Sequence, residues 1–155
     1  KVGKGTTFSV YLPVTEPGDD KEASEHTPKV EHKSSARILI AEDNDMVREL
    51  AVQVLEVCGH KVISAPDASS ALEIVQRDHP DLDMLLSDVI MPDMSGNALY
   101  ESLLAQYPHL KVLYMSGYAD EVVVEHGSFQ EGVNYIQKPF SVAALSEMVD
   151  KVLSR

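Results

Sequence analysis

Among 155 residues there is a single cysteine, Cys58. One thiol cannot form an internal disulfide, and its isolation fits a reducing compartment. It falls on an apolar helical face, where it reads as a small buried hydrophobe rather than a nucleophile. Long hydrophobic runs are also missing. No segment nears the roughly 20 apolar residues of a membrane-spanning helix, and no signal-peptide pattern opens the chain, so a soluble cytoplasmic segment without membrane contact is expected. Basic residues are scarce, with 13 Lys and Arg against 25 Asp and Glu, a net charge of −12. Most of that excess, −11, lies in residues 37–155. So acidic a segment repels phosphate backbones, which argues against direct nucleic-acid binding. The first residue is Lys1 rather than Met, as expected of a piece of a longer protein.

With 44% hydrophobic residues, the chain can bury one ordinary core. Residues 1–13 read as a glycine-rich turn and a strand with period-two alternation at Phe8, Val10 and Leu12. Residues 14–36 are rich in Glu, Asp, Lys, Ser, His and Pro with almost no large apolar side chain. They cannot bury enough surface to offset chain entropy and are expected to be a flexible linker. His26 and His32 lie there without ligand-like neighbours.

The remainder, 37–155, alternates strand and helix. The expected strands are Arg37 to Ala41, Lys61 to Ala65, Leu82 to Asp88, Lys111 to Met115 and Val133 to Gln137. The first helix recurs at three and four residues through Val47, Leu50, Ala51, Val54, Leu55 and Cys58, and Gly59 stops it. Pro66 opens the second, with Ala68, Ala71, Leu72 and Val75 inward, and the third runs from about Gly96 to Gln106. A weak signal at 120–126 contains the β-branched run at 122–124. The last helix turns Val142, Leu145, Met148, Val149 and Val152 to one face. Five such alternations predict an α/β fold, a doubly wound parallel sheet of the flavodoxin-like (βα)5 kind with strand order 2-1-3-4-5.

The central stretch runs from Leu82 to Pro92. An apolar run of strand length ends abruptly in Asp88, where open α/β sheets place their chemistry. In the predicted order, the first and third strands are neighbours, so Glu42, Asp43 and Asp88 converge on one rim. Like charges that close raise one another's pKa. A divalent cation with hard oxygen ligands relieves this, which suits Mg²⁺, with Mn²⁺ as the alternative. The fourth strand brings the Ser116 hydroxyl to the same rim and the fifth brings the Lys138 ammonium. Together these groups could bind a phosphoryl group on Asp88 and neutralise its oxygens during transfer. Alone, each has a plain structural reading as a helix cap, a turn residue or a surface charge. Their coincidence at successive strand ends favours chemistry.

These residues carry a resemblance. Ile40-Ala-Glu-Asp-Asn44, Asp88-Val-Ile-Met-Pro-Asp-Met-Ser-Gly96, Met115-Ser-Gly-Tyr118 and Tyr135-Ile-Gln-Lys-Pro-Phe140 resemble the motifs of two-component response regulator receiver domains, over all of 37–155. The resemblance implies that Asp88 is the phosphoacceptor. Glu42, Asp43, Asp88 and the Ile90 backbone carbonyl would hold Mg²⁺. Lys138 would contact the phosphoryl group, Ser116 would be the switch hydroxyl and Tyr135 the switch aromatic, and the bond before Pro139 would be cis. The implied partner is a histidine kinase or a histidine phosphotransfer domain. The switching surface would be the helix at 120–126, the fifth strand and the last helix. Such a domain catalyses its own phosphorylation and dephosphorylation. Ile90 and Tyr118, by the same resemblance, flank the path of the hydrolytic water, so slow self-dephosphorylation is expected. Glu42 and Ser116 depart from the commoner Asp and Thr but keep the needed groups. Residues 1–13, with Gly3-Lys-Gly5-Thr-Thr-Phe, resemble the closing segment of a histidine-kinase ATP-binding domain, which favours a hybrid sensor kinase with a C-terminal receiver.

Three rivals share the fold class. A phosphorylation-independent docking module would not need the complete set of Glu42, Asp43, Asp88, Ser116 and Lys138. A flavodoxin-like cofactor protein needs a phosphate-binding loop after the first strand, where this chain has two carboxylates. A response regulator with its output domain removed would lack the kinase-like residues 1–13.

Overall fold

A computed structural model describes residues 35–117 and 134–155 of the chain. The expected kinase remnant at 1–13, residues 14–34 of the expected linker, Tyr118 and the helix expected at 120–126 lie outside the described residues. The strands are β1 (Arg37–Ala41), β2 (Lys61–Ala65), β3 (Met84–Asp88), β4 (Lys111–Ser116) and β5 (Tyr135–Gln137). They form one parallel sheet in the order β2-β1-β3-β4-β5, as the alternation predicts. All five residues of β3 are buried, the consequence of a continuous apolar run lying beneath helices on both faces.

Among the described residues four helices flank the sheet: α1 (Asp45–Val57), α2 (Ala68–Asp78), α3 (Gly96–Leu104) and α4 (Val142–Leu153). One apolar cluster joins Ile38, Ile40, Leu86 and Met115 to Ala51, Leu55, Leu145 and Val149, and so lies under α1 and α4. The other joins Leu39 and Leu85 to Ala71, Val75, Leu99 and Leu103, under α2 and α3. Alternate β1 residues thus feed opposite layers, as the period of two in a strand requires.

The helix starts are set by side-chain caps. Asn44, Asp67, Ser95 and Ser141 each accept from first-turn backbone N–H groups, which have no partner within the helix. α2 therefore begins at Ala68, behind its Asp67 cap, and not at Pro66. Gly59, at φ 89°, turns the chain out of α1 in a backbone region that costs glycine least. Cys58 is half-buried against the first cluster, and its thiol donates to Ser146 Oγ at 3.3 Å.

The helical faces need correction at their edges. Leu50 and Val142 were expected to point inward but are 40% and 57% exposed. Both sit at the margin of an apolar stripe, and the margin is covered only where a neighbouring element reaches it. Leu72 and Met148 are half-buried. Ala36, the last residue of the expected linker, is buried, and its carbonyl accepts from Lys61 N at 2.8 Å. No described helix is long and apolar enough to cross a membrane.

Candidate functional site

Parallel pairing in register delivers the polar strand ends to one rim. Ala41 pairs with Ser87 and Asp88 with Met115, so Glu42 and Asp88 emerge side by side where β1 and β3 finish. Ser116 closes β4 opposite Gln137, and Lys138 follows immediately after β5. The Lys138 backbone N–H donates to Ser116 O at 2.7 Å, fixing that residue to the rim, and the Lys138–Pro139 peptide bond is cis.

The Lys138 ammonium bridges two carboxylates. Nζ donates to Asp88 Oδ2 at 2.7 Å and to Glu42 Oε1 at 2.9 Å. Glu42 Oε2 lies nearer still, at 2.7 Å, but that contact is electrostatic: Oε2 is buried and accepts no hydrogen bond among the described residues. Burial pushes the Glu42 carboxyl up, reinforced by the Asp88 charge and opposed by the Lys138 bond. Burial alone would lower Lys138, yet its bonds to Asp88 and Glu42 outweigh that and raise it. The two shifts favour opposite charge states for the pair. One ammonium serves two carboxylates and stays charged, and Glu42, with Oε2 unbonded, is the under-satisfied member.

Asp43 is exposed and completes the acidic group. One oxygen from each of Glu42, Asp43 and Asp88 lies within 4.8 Å of the others. Three carboxylates and one ammonium leave excess negative charge in a partly buried place, an imbalance that a bound cation relieves. The orphaned, buried Glu42 Oε2 and the carboxylate of solvent-exposed Asp43 offer oxygen ligands of the kind a small divalent cation accepts. The donor set fits such an ion.

The scaffold beneath these groups is tight. Arg48 Nη1 donates to Glu42 O at 2.7 Å while Nη2 pairs with Asp45. Asn44 N donates to Glu42 Oε1 at 3.3 Å, and Ser87 Oγ donates to Asp88 O at 2.8 Å. Gly96 leaves no room for a side chain: a Cβ there would stand 2.1 Å from Asp88 O and 2.8 Å from Ser87 Oγ. Close approach of backbone, rather than turn conformation, requires glycine at this position.

Residues 38–150 match the response regulator receiver domain. The chain belongs to that family. It is 30% identical to the response regulator receiver protein CpdR of Brucella abortus, with 76% of this chain aligned to 96% of that protein. It is 33% identical to the sensor kinase CckA of Brucella abortus across the whole chain, which spans 17% of that kinase's length. The crystal structure of the receiver domain from the hybrid histidine kinase CckA covers 76% of the chain at a TM-score of 0.63 and 33% identity. The protein is thus a receiver domain of two-component signalling, a class that binds Mg²⁺ at an acidic pocket and works with histidine kinases or phosphotransfer proteins.

Of the residues singled out in the sequence, Glu42, Asp88 and Lys138 are in direct contact and Asp43 stands beside them. Ser116 is buried on the same rim, and Ile90 lies half-exposed two residues beyond Asp88. Tyr135, paired with Tyr114 in β5, is 38% exposed. Arg48, Gly96 as a contact of Asp88, and Asp93, which reaches α2, escaped the reading of the sequence.

Proposed function

We propose that this receiver takes a phosphoryl group from a phosphohistidine onto Asp88. A carboxylate oxygen of Asp88 forms the new O–P bond while the N–P bond of the donor breaks, and the imidazole nitrogen keeps the electron pair. Lys138, already bonded to Asp88 Oδ2, moves to an equatorial phosphoryl oxygen as charge builds there. Glu42, Asp43, Asp88 and the Ile90 carbonyl would hold Mg²⁺, or Mn²⁺ in its place. When bound, that ion neutralises phosphoryl oxygens that the ammonium alone cannot. The Ser116 hydroxyl then donates to a phosphoryl oxygen, and Tyr135 turns inward from its exposed position. This shifts the population of a two-state surface that includes β5 and α4.

In the parent protein, residues 1–13 end a histidine-kinase core, 14–36 link it, and 37–155 form the receiver of a hybrid kinase in the cytoplasm. The similarity to the CckA sensor kinase over all of the chain, including the part before the receiver, supports that arrangement.

The reading is carried by the Lys138 ammonium, held at hydrogen-bond distance from Asp88 in a buried carboxylate cluster. Incubation with a phosphorylated histidine phosphotransfer protein and Mg²⁺ tests it. Label should pass to the wild-type chain and not to Asp88→Asn. Equal labelling of both would refute the assignment, and labelling of neither would favour a docking module.

A further inference from the structure

We propose that Asp93 is a positioning residue for the metal-binding end of the site, bracing the loop that carries Ile90 against the first turn of α2. This rests on the reading of the Ile90 carbonyl as a metal ligand. Residues Val89 to Ser95 join β3 to α3. At the start of this loop Val89 N donates to Met115 O at 3.1 Å, and at its end Gly96 N donates to Val89 O at 2.9 Å. Between them the Met91 side chain is buried among the residues under α2, whereas Ile90 points to solvent. Three residues past Ile90, the Asp93 carboxylate crosses to the first turn of α2. Its Oδ2 accepts from Ser69 N at 2.8 Å and its Oδ1 from Ala68 N at 3.4 Å.

That contact is not needed merely to cap α2. The helix has its own cap, Asp67, which accepts from Ser70 N at 2.7 Å. Asp93 is a second acceptor, supplied from 24 residues away, and its bonds to free first-turn N–H groups are strengthened by the helix dipole. Burial would raise its carboxyl, but the hydrogen bonds from Ser69 and Ala68 prevail and hold it below the usual range, so it is ionised when the site works. Without it, the N–H of exposed Ser69 turns to water at small cost, and that of buried Ala68 gives up only the longer, 3.4 Å contact. The Ile90 segment, however, loses its only charged tie to α2 among the described residues. Ligand geometry supported from outside the ligand set commonly accounts for 10- to 100-fold in metal affinity.

Mg²⁺ titrations of the full chain, followed by amide chemical shifts, test this with Asp93→Ala, Asp93→Asn and, as a control, Asp43→Asn. Asp93→Ala should weaken Mg²⁺ binding about tenfold while leaving the metal-free urea midpoint nearly unchanged. Asp93→Asn keeps an acceptor oxygen without the charge and should restore most of the affinity. Wild-type affinity in Asp93→Ala alongside loss in Asp43→Asn would overturn the brace and leave the metal site standing. Equal weakening in both Asp93 variants would overturn it in favour of a simple charge effect. Unchanged affinity in Asp43→Asn would remove the metal site and the brace together.

Discussion

The two rims of this sheet carry ion pairs of nearly the same length and of very different consequence. At the amino-terminal rim Arg37 Nη1 meets Asp81 Oδ2 at 2.9 Å, with side chains 40% and 93% exposed. At the carboxyl-terminal rim Lys138 meets Asp88 at 2.7 Å, with side chains 18% and 12% exposed. Water screens the first pair, so it is worth about 0–1 kcal/mol. The second has shed most of its water, and removing one partner of such a pair costs about 3–5 kcal/mol because the other charge is left buried. Separation alone does not distinguish a functional pair from an ornamental one. Burial separates the two pairs, along with a third charge, that of Glu42, on the same ammonium.

Substitutions at the two rims can break this contrast. The largest effect is expected from Lys138→Met, which should slow phosphorylation by acetyl phosphate by about 10²- to 10³-fold, the usual loss for one preorganised donor. Labelling rates at saturating Mg²⁺ measure it. Gly96→Ala forces a Cβ against Asp88 O and should cost about 1–3 kcal/mol in urea unfolding, with slower phosphorylation because the main chain of Asp88 must shift. Ile90→Asn replaces a half-exposed apolar side chain near Asp88 with an amide that can bind water. Loss of phosphoryl label over time should be faster than in the wild type, and an unchanged lifetime would reject the water-path role.

At the opposite rim His60 is buried, and its Nδ1 accepts from Ala36 N at 3.3 Å. Burial lowers the imidazole from its ordinary 6.5, against a smaller upward pull from Asp150. The unfolded chain therefore takes up this proton first as pH falls. Stability from the neutral imidazole is complete above 6.5 and lost below it, down through the folded value. Urea midpoints at about pH 7.5 and about pH 5.5 should differ less in His60→Gln than in the wild type. The smallest effect belongs to Asp81→Asn, below about 1 kcal/mol, with phosphorylation untouched.

Much of the site was legible because each member ends an apolar run, and a parallel sheet brings run-ends together. The jump from the Leu85-Leu86 segment to Asp88, and from Ile40 to Glu42, marks burial giving way to chemistry within two residues. The strand order followed from the same alternation. What stayed hidden was created by the fold. Arg48 reaches the carbonyl of Glu42 across a helix cap, Gly96 touches Asp88 O through a loop, and Asp93 reaches Ser69 from 24 residues away. None of these follows a helical or strand period. Leu50 and Val142 were misplaced for a related reason: periodicity defines a stripe but not how far the neighbouring element covers it.

Asp88, which ends the fully buried β3 and is bonded to Lys138 Nζ, is expected to be the one carboxylate of this rim that carries the phosphoryl group. Intact-mass measurement after incubation with acetyl phosphate and Mg²⁺, followed by peptide mapping of the acyl phosphate, tests it directly. One phosphoryl group per chain is expected, mapped to Asp88, and absent when Mg²⁺ is chelated. A phosphoryl group on Glu42, Asp43 or any other residue, or undiminished modification of Asp88→Asn, would contradict it.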